Sequence, residues 1–283
     1  MEYKENIKIG FIQTVVEGNV AWGTKRPFNL NMSVESEEKV WAEIKKGFRD
    51  ILNSNIRPQV IVIPELSIPR GHEYNLKRLC ASSGAIVIAG LDFVWNGSDV
   101  SNKAVVEVPR NWPNDGHSKG TSSFQFGKTF YSQEEEYMFK KENLKSEAAM
   151  YILDAAEYGK MGVAICSDFF DIERFVVYKG RIHHLIIISH NKDTESYYFL
   201  AEAISRLVYC NVVICNSGEY GDSIGFSPFR ENHNRIVYRH KGKSLFSTQV
   251  ISLPVKLLDY EQNAGVENKY FKSRPPGYIK TQF

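Results

Sequence analysis

The chain has 283 residues, enough for one large domain with a substantial core. Its composition, 43% hydrophobic, 13% aromatic and 24% charged, is that of an ordinary globular protein, and its apolar runs are far too short to span a bilayer. A net charge of +2 removes any general electrostatic reason to expect nucleic acid or an anionic membrane as partner.

The N-terminal Met1-Glu2-Tyr3-Lys4-Glu5-Asn6 lacks the apolar region of a signal peptide, so a cytoplasmic location is expected. It leads into an apolar strand at 7–13 and then a long irregular segment, about 14–34. Ser33 or Ser36 is placed to cap a helix over roughly 37–53, where Val40, Ile44, Phe48 and Ile51 recur at helical spacing. A strand at 60–64 ends on Pro64 and is followed at once by Glu65. A helix at about 73–83 separates it from strands at 85–93 and 104–108. The second irregular segment, about 109–127, ends at Gly127-Lys128-Thr129. Strands at 150–154 and 161–166 precede a short helix near 171–178. A strand at 184–189 leads to a helix at about 195–209, with Phe199, Ala203 and Leu207 on one face. Strands at 211–215, 235–239 and 248–253 complete the chain. Strands alternating with helices indicate an α/β fold, and all-apolar strands indicate sheets covered on both faces. No Pro- or Ser-rich linker divides it, so residues 1–283 are expected to form a single domain.

None of the four cysteines forms a Cys-x-x-Cys pair, which argues against a zinc knuckle or dithiol motif. Cys80, Cys210 and Cys215 sit in apolar or helical patterns, as small core residues do. Cys166 differs: it ends an apolar run and is followed by Ser167 and Asp168, as at a strand end opening onto a pocket. With Glu65 and Lys128 it makes a candidate nucleophile, base and oxyanion partner for covalent thiol chemistry on a carbon–nitrogen bond. Lys128 and the backbone N–H of Ser167 would stabilise the oxyanion, and Glu65 would carry protons. His190 and Asn191, just past the strand at 184–189, are candidate substrate contacts; His190 as the base of a cysteine–histidine hydrolase is the competing assignment. His183 and His184 are adjacent on a strand and point to opposite faces, so they cannot share a metal. Gly127-Lys128-Thr129 also looks like the end of a phosphate-binding loop, but Ser122 stands where that loop needs its first glycine.

These segments together resemble the nitrilase superfamily of carbon–nitrogen hydrolases, nearly end to end. The opening Ile7-Lys8-Ile9-Gly10-Phe11-Ile12-Gln13 looks like its first strand, the apolar run to Pro64-Glu65 like its general-base segment, and Gly162-Val163-Ala164-Ile165-Cys166-Ser167-Asp168 like its nucleophile segment. Lys128 lies 38 residues before Cys166, a separation usual for the lysine of that family. Arg274-Pro275-Pro276-Gly277-Tyr278 is similar to its C-terminal motif. The resemblance implies a four-layer α-β-β-α sandwich, a cofactor-free Glu65-Lys128-Cys166 site, and a homodimer or higher homo-oligomer, with the tail from about 263 to 283 and its Tyr270, Phe271, Tyr278 and Phe283 lying on a partner subunit. Members often add a second glutamate beside the lysine. Glu134, Glu135 and Glu136 all follow Lys128 closely, and Glu136, eight residues on, fits one branch of the family. Ser167 replaces the common tyrosine, and the Cys-Trp-Glu of nitrile hydrolases is absent, so an amide or N-carbamoyl substrate is expected. Trp22, Trp112, Lys25 and Arg26 in the two irregular segments point to a small substrate with a planar or anionic part.

One alternative comes from a different class. Arg230, Arg235, Arg239, Lys241 and Lys243 crowd one hairpin-like region with Phe229 and Tyr238. That pattern would suit a nitrilase-like domain with a partner-dependent or nucleic-acid-linked role, as in bacterial defence, and little free-standing activity.

Overall fold

Two six-stranded sheets lie face to face, and the strands alternate along the chain with the helices that cover their outer faces. The first half supplies β1 (Asn6–Gln13), α1 (Val34–Leu52), β2 (Val60–Ile68), α2 (Glu73–Ser83), β3 (Ile86–Leu91), β4 (Lys103–Pro109), β5 (Thr121–Gly127) and the short α3 (Gln133–Met138). The second supplies β6 (Ile152–Asp154), β7 (Lys160–Ile165), α4 (Ile172–Tyr178), β8 (His184–Ser189), α5 (Thr194–Ile204), β9 (Asn211–Asn216), β10 (Ser223–Phe226), β11 (Ile236–His240), β12 (Ser247–Pro254) and α6 (Lys256–Asn263). This computed structural model describes residues 2–25, 28–29, 31–114, 116–263 and 269–280.

The sheet orders are β12-β1-β2-β3-β4-β5 and β11-β10-β9-β8-β7-β6. In each, three central strands run parallel, β1-β2-β3 and β7-β8-β9, with antiparallel strands outside them. Alternation along a strand decides which layer each side chain joins. Val60 and Val62 enter the core between the sheets, where they meet Val163, Ile165, Ile186 and Ile188. Ile61 and Ile63 face outward under α1 and α2, against Val40, Ile44, Phe48 and Leu76. On the far side Leu185, Ile187, Val212 and Ile214 pack beneath Phe175, Tyr178, Ala201 and Ile204 of α4 and α5. The result is the α-β-β-α sandwich.

Ser33 caps α1 by accepting from the Ser36 N–H. Two expectations change. The segment at 109–127 is not one loop, because 121–127 forms edge strand β5, paired to β4. Its run of exposed Ser122, Ser123, Phe124 and Gln125 hides the strand signal, as edge strands often do. Strand β10 also lacks an expectation; it is short and interrupted by Gly225. The helix after β8 forms, but Phe199 and Leu207 face outward and are 63% and 57% exposed, while Tyr197, Ala201 and Ile204 face the sheet.

The described part of the tail also makes contacts within its own chain. Phe271 is buried against Tyr209 and Leu258 and bridges Phe229, and the Tyr209 hydroxyl donates to the Lys272 carbonyl at 2.7 Å. Tyr278 stacks edge-on with Tyr209, while Phe283 and residues 264–268 lie outside the described residues.

Candidate active site

The C-terminal ends of parallel strands open onto a pocket of about 430 Å³, the position where α/β sheets commonly place ligands. Glu65 arrives there through a break in β2. Pairing with β3 is regular to Ile63↔Ala89 and resumes at Ile68↔Leu91, so residues 64–67 bulge out. Pro64, which has no N–H to pair, starts the bulge, and Leu66 takes a left-handed φ of 57°. Gly90 makes room for it: a Cβ there would meet the Glu65 Cα at 2.3 Å.

Lys128 follows the last residue of β5, and its N–H donates to the Asn102 carbonyl at 2.9 Å. Its side chain is buried, with Nζ donating to Glu65 Oε1 at 2.9 Å and Glu135 Oε2 at 2.7 Å. Asn102 ties the same two carboxylates from the other side, its Nδ2 donating to Glu65 Oε1 and Glu135 Oε1, each at 2.8 Å. The second oxygen of Glu65 accepts the His190 backbone N–H at 2.8 Å. Burial opposes the charge on Lys128, but Glu65 and Glu135 outweigh it and hold the pKa well above that of an ordinary lysine. Burial likewise works against the Glu135 carboxylate, and Lys128 overcomes it, leaving that pKa lowered.

Cys166 is the first residue past β7 and begins a tight turn over Cys166–Phe170. Its φ of 46° places a non-glycine residue in left-handed backbone, a strained geometry characteristic of functional positions. Burial and then Glu65 push its thiol up to about 12, with Lys128 opposing. The turn is tied to the lysine segment. Asp168 accepts the Thr129 and Phe130 N–H groups at 3.0 and 2.8 Å, and the Ser167 hydroxyl donates to the Phe130 carbonyl at 2.6 Å. Arg174 flanks Asp168 at 3.5 Å and donates to the Thr129 hydroxyl.

Glu65, Lys128, Cys166, Ser167, His190 and Asn191 therefore all line one pocket. Glu136 does not. It is exposed, whereas Glu135 is buried against Lys128, so the second glutamate is Glu135. The signal was present as Ser132-Gln133-Glu134-Glu135, a capping box, in which the third helical residue turns back toward the helix start. Asn102 and Glu219 were also missed; a polar side chain at a strand edge or in a loop carries no mark of its partner. Glu219 accepts from His190 Nε2 and from the Gly18 N–H, both at 2.9 Å, joining the 14–34 segment to the pocket. Burial disfavours the Glu219 charge, yet His190 and Gly18 hold its pKa below the usual range. His190 is thus committed to Glu219 through its ring and to Glu65 through its backbone, which does not suit it to be the base for Cys166.

Trp22 lines the pocket, locked by its indole N–H to buried Asp92 at 3.0 Å. Trp112 and Lys25 do not line it, and Arg26 lies outside the described residues. Trp112 follows the Pro109↔Thr121 end of the β4–β5 pair, opposite the Lys103↔Gly127 end that carries the site, and packs on Tyr158. The basic hairpin is largely paired: Arg235 binds Glu202, Arg239 binds Asp222 and stacks on Tyr198, and Lys241 lies near Glu195. Among the described residues no group of three or more His, Cys, Asp or Glu is arranged to hold a metal ion, and no helix is long and apolar enough to cross a membrane.

No protein-family profile matches this chain, and no curated protein does. Solved structures do. XC1258 from Xanthomonas campestris, a CN-hydrolase superfamily protein with an arsenic adduct in its active site, superposes with a TM-score of 0.65 at 10% identity, over 92% of this chain and 94% of that one. An amidase from Nesterenkonia sp. gives 0.61 at 12%, over 90% and 93%. A variant of the Nesterenkonia AN1 amidase, described as from the nitrilase superfamily, gives 0.61 at 12%, over 90% and 94%. At these identities the likeness establishes the fold, which is that of the CN-hydrolase, or nitrilase, superfamily.

Proposed function

We propose that this chain is a nitrilase-superfamily thiol hydrolase that cleaves a non-peptide carbon–nitrogen bond, in an amide or N-carbamoyl compound, through an acyl-cysteine intermediate. The observation that carries the proposal is the buried Lys128 held between Glu65 and Glu135 in the same pocket as a cysteine in strained backbone. The structure of a Nesterenkonia amidase variant with the acetamide moiety of fluoroacetamide on its active-site cysteine gives the same fold a covalent thiol chemistry.

Charge dictates the order of steps. The resting cluster holds one ammonium and two carboxylates, so a thiolate formed beside them would add a third negative charge. Passing the thiol proton to Glu65 avoids this, because it removes the carboxylate charge that opposes the thiolate. Sulfur then attacks the carbonyl carbon, and the oxyanion is met by Lys128 Nζ and the Ser167 backbone N–H. Glu65 returns the proton to the departing nitrogen as the C–N bond breaks. Water next gives a proton to Glu65 and adds to the acyl carbon; the C–S bond breaks, the acid leaves, and the thiol is reprotonated.

The pocket supports a small neutral or cationic amide rather than an anionic one. Its lining carries Glu134 and Glu219 beyond the central pair, against Lys192, and aromatic walls from Trp22, Phe93 and Phe170. The paired arginines of the hairpin leave little for the nucleic-acid-linked alternative. Assembly into a homo-oligomer is supported by the outer helical layer, where Ile172, Val176, Phe199 and Leu207 are exposed.

Ammonia release across matched amides, N-carbamoyl amino acids and nitriles tests the proposal. Release from neutral or cationic amides, lost in Cys166→Ala, is expected. Release from nitriles alone would overturn the amidase assignment, and silence across the panel would favour a partner-dependent role.

A further inference from the structure

Helix α5 starts at Thr194, capped by the Asp193 side chain, and its first turn lies against the Cys166–Phe170 turn. Tyr197 projects from it onto Phe169 and Phe170, with ring centroids 5.3 and 5.5 Å apart, and is only 2% exposed. Cys166 and Asn191 are polar groups that act on its hydroxyl. It nevertheless makes no well-formed hydrogen bond in the resting geometry.

A buried hydroxyl left without a partner costs about 1–3 kcal/mol, so its retention calls for a state in which a partner exists. A neutral thiol is a weak acceptor, whereas a thiolate accepts strongly. Lys128, shared between two carboxylates, is an incomplete counter-ion for sulfur. We infer that the Tyr197 hydroxyl is the donor that stabilises the Cys166 thiolate, before attack and again when the C–S bond breaks. The inference rests on Cys166 being the nucleophile. The thiol proton moves to Glu65, Tyr197 keeps its own, and only a hydrogen bond is made. Burial, and then the neighbouring Cys166, hold the Tyr197 pKa well above that of an ordinary tyrosine, which suits a group that donates without ionising.

Iodoacetamide labelling of Cys166, followed by peptide mapping across pH, reads this without any substrate. Tyr197→Phe keeps the ring and removes the donor; it should slow labelling about ten-fold near neutrality and displace the pH profile upward by about one unit. Tyr178→Phe is the control: its hydroxyl donates to the Val163 carbonyl in the same core cluster, and its loss should leave the profile in place. If Tyr197→Phe melts early, Tyr197→Met, which also fills the space without a donor, should show the same slowing. A wild-type rate and pH profile in the donor-free variants overturns the inference. Failure of the hydrolase proposal would look different, as amide turnover that survives Cys166→Ala.

Discussion

Lys128 holds two carboxylates on one ammonium, and that imbalance sets what each neighbour can do. Glu65 keeps one oxygen that, among the described residues, accepts from the His190 N–H alone, whereas Glu135 is saturated by Lys128, Asn102 and Ser132. In the proposed mechanism Glu65 therefore exchanges the proton and Glu135 holds the lysine. Glu135→Gln should lower kcat/KM about 100-fold, while Glu136→Gln stays within about two-fold, because only the first touches the ammonium. Equal effects in steady-state kinetics would contradict the assignment. Cys166 and Glu65 are legible because each closes an apolar run that stops abruptly, whereas Lys128, at the end of an irregular segment, stands out through its separation of 38 residues from Cys166. Glu135 shows only a capping box and Asn102 shows nothing, because their contacts to Lys128, to Glu65 and to each other lie 7 to 37 residues away in sequence.

Among the elements, the bulge in β2 does the positioning, and Gly90 opposite it decides whether the bulge fits. The Cβ of Gly90→Ala would collide with backbone, which cannot swing aside as a side chain does. The variant should lose about 1–3 kcal/mol in stability from overpacking, together with most turnover, since Glu65 moves with its backbone. A folded variant with unchanged activity would show that the bulge has other support. The regular strands were readable because parallel strands buried on both faces are continuous apolar runs. Edge strand β5 was not, since solvent imposes no apolar pattern on it. The face of α5 was misread for a related reason: Phe199 and Leu207 recur at helical spacing, but on the side that faces away from the sheet.

For the whole molecule, acid is the informative stress. Burial pulls the His184 pKa down to about 3, and its ring instead serves neutral contacts to the Tyr158 carbonyl and Asn211. The unfolded chain, with an ordinary histidine near about 6.5, binds that proton first. Folding stability should therefore fall as pH drops from about 6.5 toward about 3. Burial also lowers His183, against the pull of Asp259, and acts in the same direction. Melting temperature measured from pH 7 to 4 should decline less steeply in His184→Gln than in the parent; identical slopes would contradict the buried-histidine account. The outward apolar stripe on α4 and α5 makes a second prediction at this scale. Light scattering should give a multiple of the 32.4 kDa chain mass, reduced toward that mass by Val176→Glu with Phe199→Glu. A monomer in the parent protein would count against a homo-oligomer.

The central claim is that Cys166 carries the substrate's acyl group between the departure of nitrogen and the arrival of water. Acid-quenched mixtures with turned-over amides, read by intact mass and peptide mapping, test it most directly. The account predicts one acyl increment, confined to Cys166 and absent from Cys166→Ala. An increment that persists in that variant, or that maps to Cys80, Cys210 or Cys215, would contradict it.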